Sequence, residues 1–276
     1  MIDTGDCRVR ETEVKLIICA EQPAAVIDQL ATLDSIAGYQ LGPVCSQTIH
    51  DWYLDTLAGA LAAKRLALRI RDRSGRQQLT LKAGGGVTST GAIERLEIER
   101  PASIAALREI VAAIASSGVK LRQLPTEQAS IHDLARGIGL ASIHEHTIDR
   151  CIRQIVSARQ PVAQVLAELA LDAVRCRFNN ATYRLYEVEV EAKNESGEGL
   201  LVEIKTALMA HYGHTLRSWY HDKLMTALAL RVLSHSGTPG SVYSTSEDLP
   251  PSVYDRIDAY LRSTTNLEVA TLAAKP

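Results

Sequence analysis

Glu11-Thr12-Glu13-Val14-Lys15 decides the fold of this chain, and Glu187-Val188-Glu189-Val190-Glu191 repeats its pattern near the other end. Side chains on a β-strand point to opposite faces with period two. Each stretch therefore puts its charges on one face and its apolar residues on the other. The pattern recurs between them. Arg69 and Arg71 share a face opposite Leu68 and Ile70, and Thr80 and Lys82 oppose Leu79 and Leu81. Arg95, Glu97 and Glu99 oppose Leu96 and Ile98; Glu168 aligns with Asp172, and Glu187, Glu189 and Glu191 align with Lys193. One such strand is ordinarily a solvated sheet face carrying cross-strand ion pairs. Repetition on at least five strands points instead to a sheet folded around a charged, watery interior.

Alternation and β-branched content predict strands at about 11–18, 47–55, 66–72, 77–82, 92–100, 144–156, 163–173 and 183–193. Ser74-Gly75 is a hairpin turn, and Gly84-Gly85-Gly86 is expected to be a flexible link. Helices are expected at about 23–36, 102–117, 127–138, 199–212, 218–235 and 251–263. The fold class that follows is α+β, dominated by an eight-stranded antiparallel β-barrel with helices packed outside. Residues 1–235 are expected to form one domain. Gly237, Pro239, Gly240, Pro250 and Pro251 break the pattern beyond it, so 236–276 is expected to be a C-terminal extension with one short helix.

Composition narrows the function. The 276 residues carry 30 Lys and Arg against 32 Asp and Glu, so no overall field marks a nucleic-acid binder. Five scattered cysteines without a Cys-x-x-Cys indicate free thiols, with neither a disulfide framework nor a zinc knuckle. The polar N-terminus lacks a signal-peptide stretch, and no apolar run approaches the roughly 18 residues of a membrane span. The expected protein is soluble and cytoplasmic, with no nucleic-acid or membrane partner; a homodimer is left open. Its chemistry lies in local arrangement. Clustered carboxylates repel until a divalent cation neutralises them, and oxygen donors without clustered His or Cys favour Mg²⁺ or Mn²⁺. Arginine and lysine facing the same space match phosphate. Acids on one wall and bases on another describe a site for metal-bound polyphosphate.

The ordered series resembles the CYTH superfamily, the triphosphate tunnel metalloenzymes, over roughly residues 9–230. Glu11-Thr12-Glu13-Val14-Lys15 resembles the family's ExExK strand, and Tyr53-Leu54-Asp55-Thr56 its Tyr-Phe-Asp-Thr motif. Ala67-Leu68-Arg69-Ile70-Arg71 and Leu79-Thr80-Leu81-Lys82 resemble its paired-arginine and lysine strands. Arg95-Leu96-Glu97-Ile98-Glu99 and Glu187 to Glu191 resemble its RxExE and ExExE strands. The resemblance implies an eight-stranded tunnel and a Mg²⁺- or Mn²⁺-dependent triphosphatase. It implies metal-binding carboxylates at Glu11, Glu13, Glu189 and Glu191, with Asp172 added. It implies phosphate-gripping cations at Lys15, Arg69, Arg71, Lys82 and Arg95. Lys223 matches a lysine on the family's C-terminal helix, though an aspartate, Asp222, precedes it in place of the usual serine. Glu189, Glu191 and Lys223 are the expected catalytic set.

Both Arg150 and Arg153 are candidates for the sixth-strand arginine. Three residues apart, they cannot share a strand face without a bulge, and Arg150 is preferred because it follows Thr147 as in related sequences. The substrate implied is inorganic tripolyphosphate or a small organic triphosphate. A class IV-type adenylyl cyclase would use the same grip with an added adenine pocket, and a non-catalytic polyphosphate or nucleotide-binding module would not need the carboxylates. Tyr53 and Asp55 fit either a functional motif or a strand end and its turn. His144 and His146 are expected to be exposed strand-end residues, with a tunnel-mouth role as the alternative. His211, His214 and His221 are expected at the surface or at helix ends, and Trp52 and Trp219 in packing.

Overall fold

Ser74 and Gly75 both adopt left-handed backbone (φ 53° and 82°), the geometry of a two-residue hairpin turn, and they pair Arg73 with Arg76. From that turn the sheet extends in both directions until it closes. The computed structural model describes residues 9–124, 129–157, 164–178, 181–235, 247–265 and 268–269. In chain order its elements are β1 (Val9–Ile18), α1 (Pro23–Ala31), β2 (Ser35–Ile36), β3 (Tyr39–Leu41), β4 (Cys45–Asp55), β5 (Leu66–Arg73), β6 (Arg76–Val87) and β7 (Ile93–Pro101). There follow α2 (Ile104–Ser116), α3 (Ile131–Gly137), β8 (Ala141–Ser157), β9 (Gln164–Phe178), β10 (Ala181–Ala192) and α4 (Glu195–Glu198). The chain continues through α5 (Leu201–Tyr212), β11 (Leu216–Ser218), α6 (Lys223–His235) and α7 (Pro251–Ser263). Strands run in the order β8-β4-β5-β6-β7-β1-β10-β9, and β9 pairs back to β8, all antiparallel. This is the expected closed eight-stranded barrel, which leaves no barrel edge unpaired.

Period two divides each strand as expected. The outward apolar residues of β1, β9 and β10 pack under α1 and α5, with Val14, Leu16, Val188 and Val190 meeting Leu30, Leu201 and Ile204. Those of β5, β6 and β7 pack under α2 and α3, with Leu68, Ile70 and Leu79 meeting Leu107, Ile110 and Leu134. Ser103 and Ser130 start these two helices by accepting the backbone N–H of Ala106 and Asp133.

A third core fills one end of the barrel itself. Inward residues Ile17, Ile49, Ile148, Val174 and Leu185 pack with Trp219, with Ala227 and Leu230 of α6, and with Tyr254 of α7. α6 therefore stoppers the barrel, while the other helices above cover its outside.

Some boundaries differ from expectation. The helix at 23–36 stops at Ala31, because Ala37 and Gly38 (φ 53° and 82°) make a tight turn that folds Ser35 onto Gln40. That small hairpin docks Leu41 beside Ile155 at the end of β8. The helix expected at 218 starts at Lys223, because Leu216–Ser218 pairs with β1. Gly84 and Gly85 (φ 67° and 120°) form a bulge inside β6 rather than a link. Residues 127–128 of the third expected helix, 163 of the seventh strand, and 236–246 with most of 266–276 in the expected extension lie outside the described residues, as does Cys7. The described cysteines are all free, and no described helix is long and apolar enough to cross a membrane.

Candidate active site

Inside the open part of the barrel lies a cavity of about 490 Å³ lined mostly by charged residues. It brings together Glu11, Glu13, Lys15, Arg69, Arg71, Lys82, Arg95, Arg150, Glu189, Glu191 and Lys223. These come from six strands and one helix, and sequence separations of up to 212 residues collapse into one site because register fixes them. Glu13 stands opposite Glu191, Lys15 opposite Glu189, and Glu11 opposite Arg95.

One side of the cavity is a lattice of ion pairs. Lys82 Nζ lies 2.7 Å from Glu11, and Arg95 donates to Glu11 (3.0 Å) and to Glu13. Lys15 reaches Glu189 at 2.9 Å. Arg150 clamps both oxygens of Asp172 at 2.7 and 2.6 Å and reaches Glu189 at 2.9 Å. Lys223 Nζ sits among three carboxylates: Glu187 at 2.8 Å, Asp172 at 3.0 Å, and Glu189. Asp172, Glu187 and Glu189 present oxygens within 4.8 Å of one another, a spacing suited to a cation, and the cation among them is this ammonium.

Burial alone would push the carboxyls of Glu189 and Asp172 up. Lys15, Lys223 and Arg150 hold Glu189 well below its ordinary range, and Arg150 and Lys223 lower Asp172. Asp51 behaves likewise. Burial opposes its charge, but Arg69 and the two-pronged Arg71 (2.7 and 2.6 Å) keep it well below the carboxylate range. A carboxyl lowered on folding adds stability that is present above its unfolded value, near 4, and lost as pH falls through the folded one. Far-ultraviolet ellipticity is therefore expected to hold down to about pH 4 and to be lost cooperatively below it. A structure unchanged at pH 2 would contradict this.

The balance is incomplete at two places, and they face each other across the barrel. On β5, Arg69 makes only long contacts to Asp51 (3.7 Å), Glu97 and Glu99 (both 3.9 Å). The Nε atoms of Arg69 and Arg73 are buried without a hydrogen-bond partner. Burial and the neighbouring charge of Arg71 lower the Arg73 guanidinium. On β10, burial raises the Glu191 carboxyl. Lys193 at 2.9 Å opposes this, while Glu11 and Glu168 add to it. Burial opposes the Arg69 charge, but Asp51, Tyr53, Glu97 and Glu99 more than offset it, so what this wall lacks is hydrogen-bond acceptors at Arg69 Nε and Arg73 Nε, while the other wall is short of cations at Glu191.

Arg153 does not join the site. Alternation turns it to the opposite face from Arg150, where it donates to the carbonyls of Gly42 (2.7 Å), Ala31 (2.9 Å), Leu41 (3.1 Å) and Leu33. It is the clasp of the β2–β3 hairpin, not a phosphate ligand. Arg153→Ala strands these carbonyls. The expected loss is about 2–4 kcal/mol of stability by urea titration, with substrate KM unchanged.

Asp51, Arg73 and Glu187 were missed as site residues. Arg73 continues the Arg69–Arg71 alternation, and Asp51 precedes Tyr53 by two, so both were legible on the inward face. Asp55 ends its strand and shapes the turn, accepting the N–H of Thr56, Leu61 and Ala62. Tyr53 points inward and lines the cavity beside α6. His144 and His146 are buried, not exposed, because α6 covers that end of the barrel. Trp219 is buried and donates to Thr226; His221 pairs with Asp258 at 2.8 Å.

A closed barrel enclosing paired carboxylates and phosphate-matching cations defines a charged-tunnel protein. The chain belongs to the CYTH family: the CYTH domain matches residues 10–214. Among solved structures, it is similar to HpAC1 from Hippeastrum, a proposed adenylyl cyclase credited with a dominant triphosphatase activity. That match has 16% identity over 78% of this chain and 93% of the other, with TM-score 0.46. A proposed adenylate cyclase from Bacillus halodurans matches at 15% identity over 78% and 96%, TM-score 0.44. The S. pombe RNA triphosphatase Pct1 matches at 12% identity over 77% and 85%, TM-score 0.34. Likenesses this distant carry nothing about the activity of this chain. No curated protein matches it.

Proposed function

We propose that this chain is a metal-dependent triphosphatase that hydrolyses the terminal phosphate of inorganic tripolyphosphate or a small organic triphosphate. The observation that carries this reading is the opposed imbalance. Arg69 Nε and Arg73 Nε, buried without an acceptor, lie on β5, across the strand order from β10 and its Glu191, which Glu11 and Glu168 crowd. A polyanion alone would satisfy the arginines and worsen the acids. A polyanion carrying a divalent cation satisfies both. The donors on the acidic wall are all carboxylate oxygens, which suit Mg²⁺ or Mn²⁺.

Glu11, Glu13, Glu189 and Glu191 would hold the metal, which would supply charge neutralisation at phosphate oxygens and a more acidic water. Arg69, Arg71 and Arg73 bind and orient the phosphate chain from the other wall, with Lys82 reaching it from beside Glu11, and fixed cations of this kind stabilise charge as it moves to the leaving oxygen. Lys15, Arg150 and Lys223 hold Glu189 ionised and in place. Asp172 in turn fixes Arg150 and Lys223. The α6 stopper excludes water from the inner end, which strengthens each of these interactions.

Room for an organic group exists. A second cavity of about 270 Å³ adjoins the first at Arg65, Arg95 and Asp222, and Leu54, Ile93, Leu224 and Met225 give it apolar walls. That annex keeps adenylyl cyclase chemistry as the second reading. Incubation with tripolyphosphate or ATP plus Mn²⁺ separates the cases. Orthophosphate release supports the triphosphatase and cyclic AMP the cyclase. Binding without turnover of either would leave a polyphosphate-binding module and reject the proposal.

A further inference from the structure

At the stoppered end of the barrel, three inward side chains converge that the charged tunnel does not use. His144 and His146 lie two apart on β8, and Cys176 stands directly opposite His146 on β9. They are 5%, 2% and 0% exposed. His144 Nε2 is 3.2 Å from His146 Nδ1 and 3.9 Å from Cys176 Sγ. The ligand atoms of all three lie within 4.8 Å of one another. We infer that they form a second metal site, distinct from the carboxylate wall, for a thiophilic ion such as Zn²⁺.

The spacing fits. Zinc bonds of about 2.0–2.1 Å to nitrogen and 2.3 Å to sulfur, set tetrahedrally, put donors about 3.4 Å (N to N) and 3.6 Å (N to S) apart. The donor types also separate this site from the tunnel, because two imidazoles and a thiolate select soft or borderline metals while the glutamates select Mg²⁺ or Mn²⁺.

The surroundings supply what a ligating histidine needs. Asp51 stands opposite His146 on β4, with Oδ2 3.4 Å from His146 Nε2. His146 Nε2 makes no hydrogen bond as it stands, but a carboxylate this near favours the proton on Nε2, which leaves the Nδ1 lone pair toward His144 and Cys176. Burial holds both imidazoles neutral against protonation, so their lone pairs are available to a metal. Burial also raises the Cys176 thiol, so coordination must release its proton to solvent as the Zn–S bond forms. Three protein donors leave a fourth position, as three-donor zinc sites do. Asp51 also clamps Arg71, so an ion here would brace the tunnel floor.

The test is metal content of the full chain after zinc loading and gel filtration, together with the absorption spectrum of the Co²⁺-loaded protein. One zinc per chain and a near-ultraviolet thiolate-to-cobalt charge-transfer band are expected. Cys176→Ser should remove the band and weaken zinc at least tenfold, and Asp51→Asn should weaken it about 10–100-fold. Glu191→Gln should leave the thiolate-to-cobalt band unchanged, even if the tunnel proves to bind no metal. If Cys176→Ser fails to fold, the wild-type spectrum alone still decides. Absence of the band in folded, cobalt-loaded wild type would overturn the inference, as would full zinc affinity in folded Cys176→Ser.

Discussion

Lys223→Met is expected to cost about 3–5 kcal/mol of stability at neutral pH, the loss typical of removing one partner from a buried ionic cluster. Lys223 is 6% exposed and stands among Asp172, Glu187 and Glu189, and those charges raise its own affinity for a proton although burial opposes it. Its removal leaves the three carboxylates with Arg150 and Lys15 as their remaining cations. Some of them would then take up protons on folding. In the wild type, Asp172 and Glu189 are lowered, so their stability is present above about pH 4 and lost below. In the variant a raised carboxyl has the opposite sign: its stability is fully present only below its unfolded value and is lost as pH rises. The gap between the two proteins should therefore narrow as pH falls from 8 toward 5. Urea midpoints across that range measure it, and a deficit independent of pH would contradict the clustered placement of Lys223.

The second large effect is on turnover. Glu191→Gln keeps the shape of the side chain, which is 35% exposed, but removes a charge from the wall already crowded by Glu11 and Glu168. Without metal the change relieves repulsion, so stability should hold or rise slightly. With metal it removes a donor. Metal-dependent phosphate release is expected to fall about 10²–10³-fold, the scale of losing one preorganised electrostatic contact, with partial recovery at high Mn²⁺. Glu189→Gln should abolish turnover as well, but would also strand Lys15, Arg150 and Lys223 and lower stability. The contrast separates a donor from an anchor. Wild-type turnover in both variants at limiting metal would reject the assignment.

How much of this was legible in the sequence follows from which forces act locally. Period two is a property of one strand, so Glu11, Glu13, Lys15, Arg69, Arg71 and Glu189 could be placed on one interior without coordinates. Closure followed from eight such strands. The β2–β3 hairpin was hidden because two and three residues are too few to show a period, and Ser35-Ile36 sits at the end of the stretch expected to be helix. The choice between Arg150 and Arg153 was legible as a parity rule but not as an outcome. It needed Asp172 across β9 and four waiting carbonyls on the other face. His144, His146 and Cys176 were the least legible. Their meeting depends on the β8–β9 register, and their burial on a helix that begins only at Lys223. Read singly, two histidines at a strand end and a lone thiol indicate nothing.

One measurement bears most directly on the claim that the ionic interior is a seat for metal-bound polyphosphate. It is a crystal structure grown with tripolyphosphate and Mn²⁺, with the manganese located by its anomalous signal. The expected result is manganese against Glu11, Glu13, Glu189 and Glu191, with phosphates spanning to Arg69, Arg71 and Lys82. Phosphate and manganese on the outer surface, with the interior ion pairs unchanged, would contradict it.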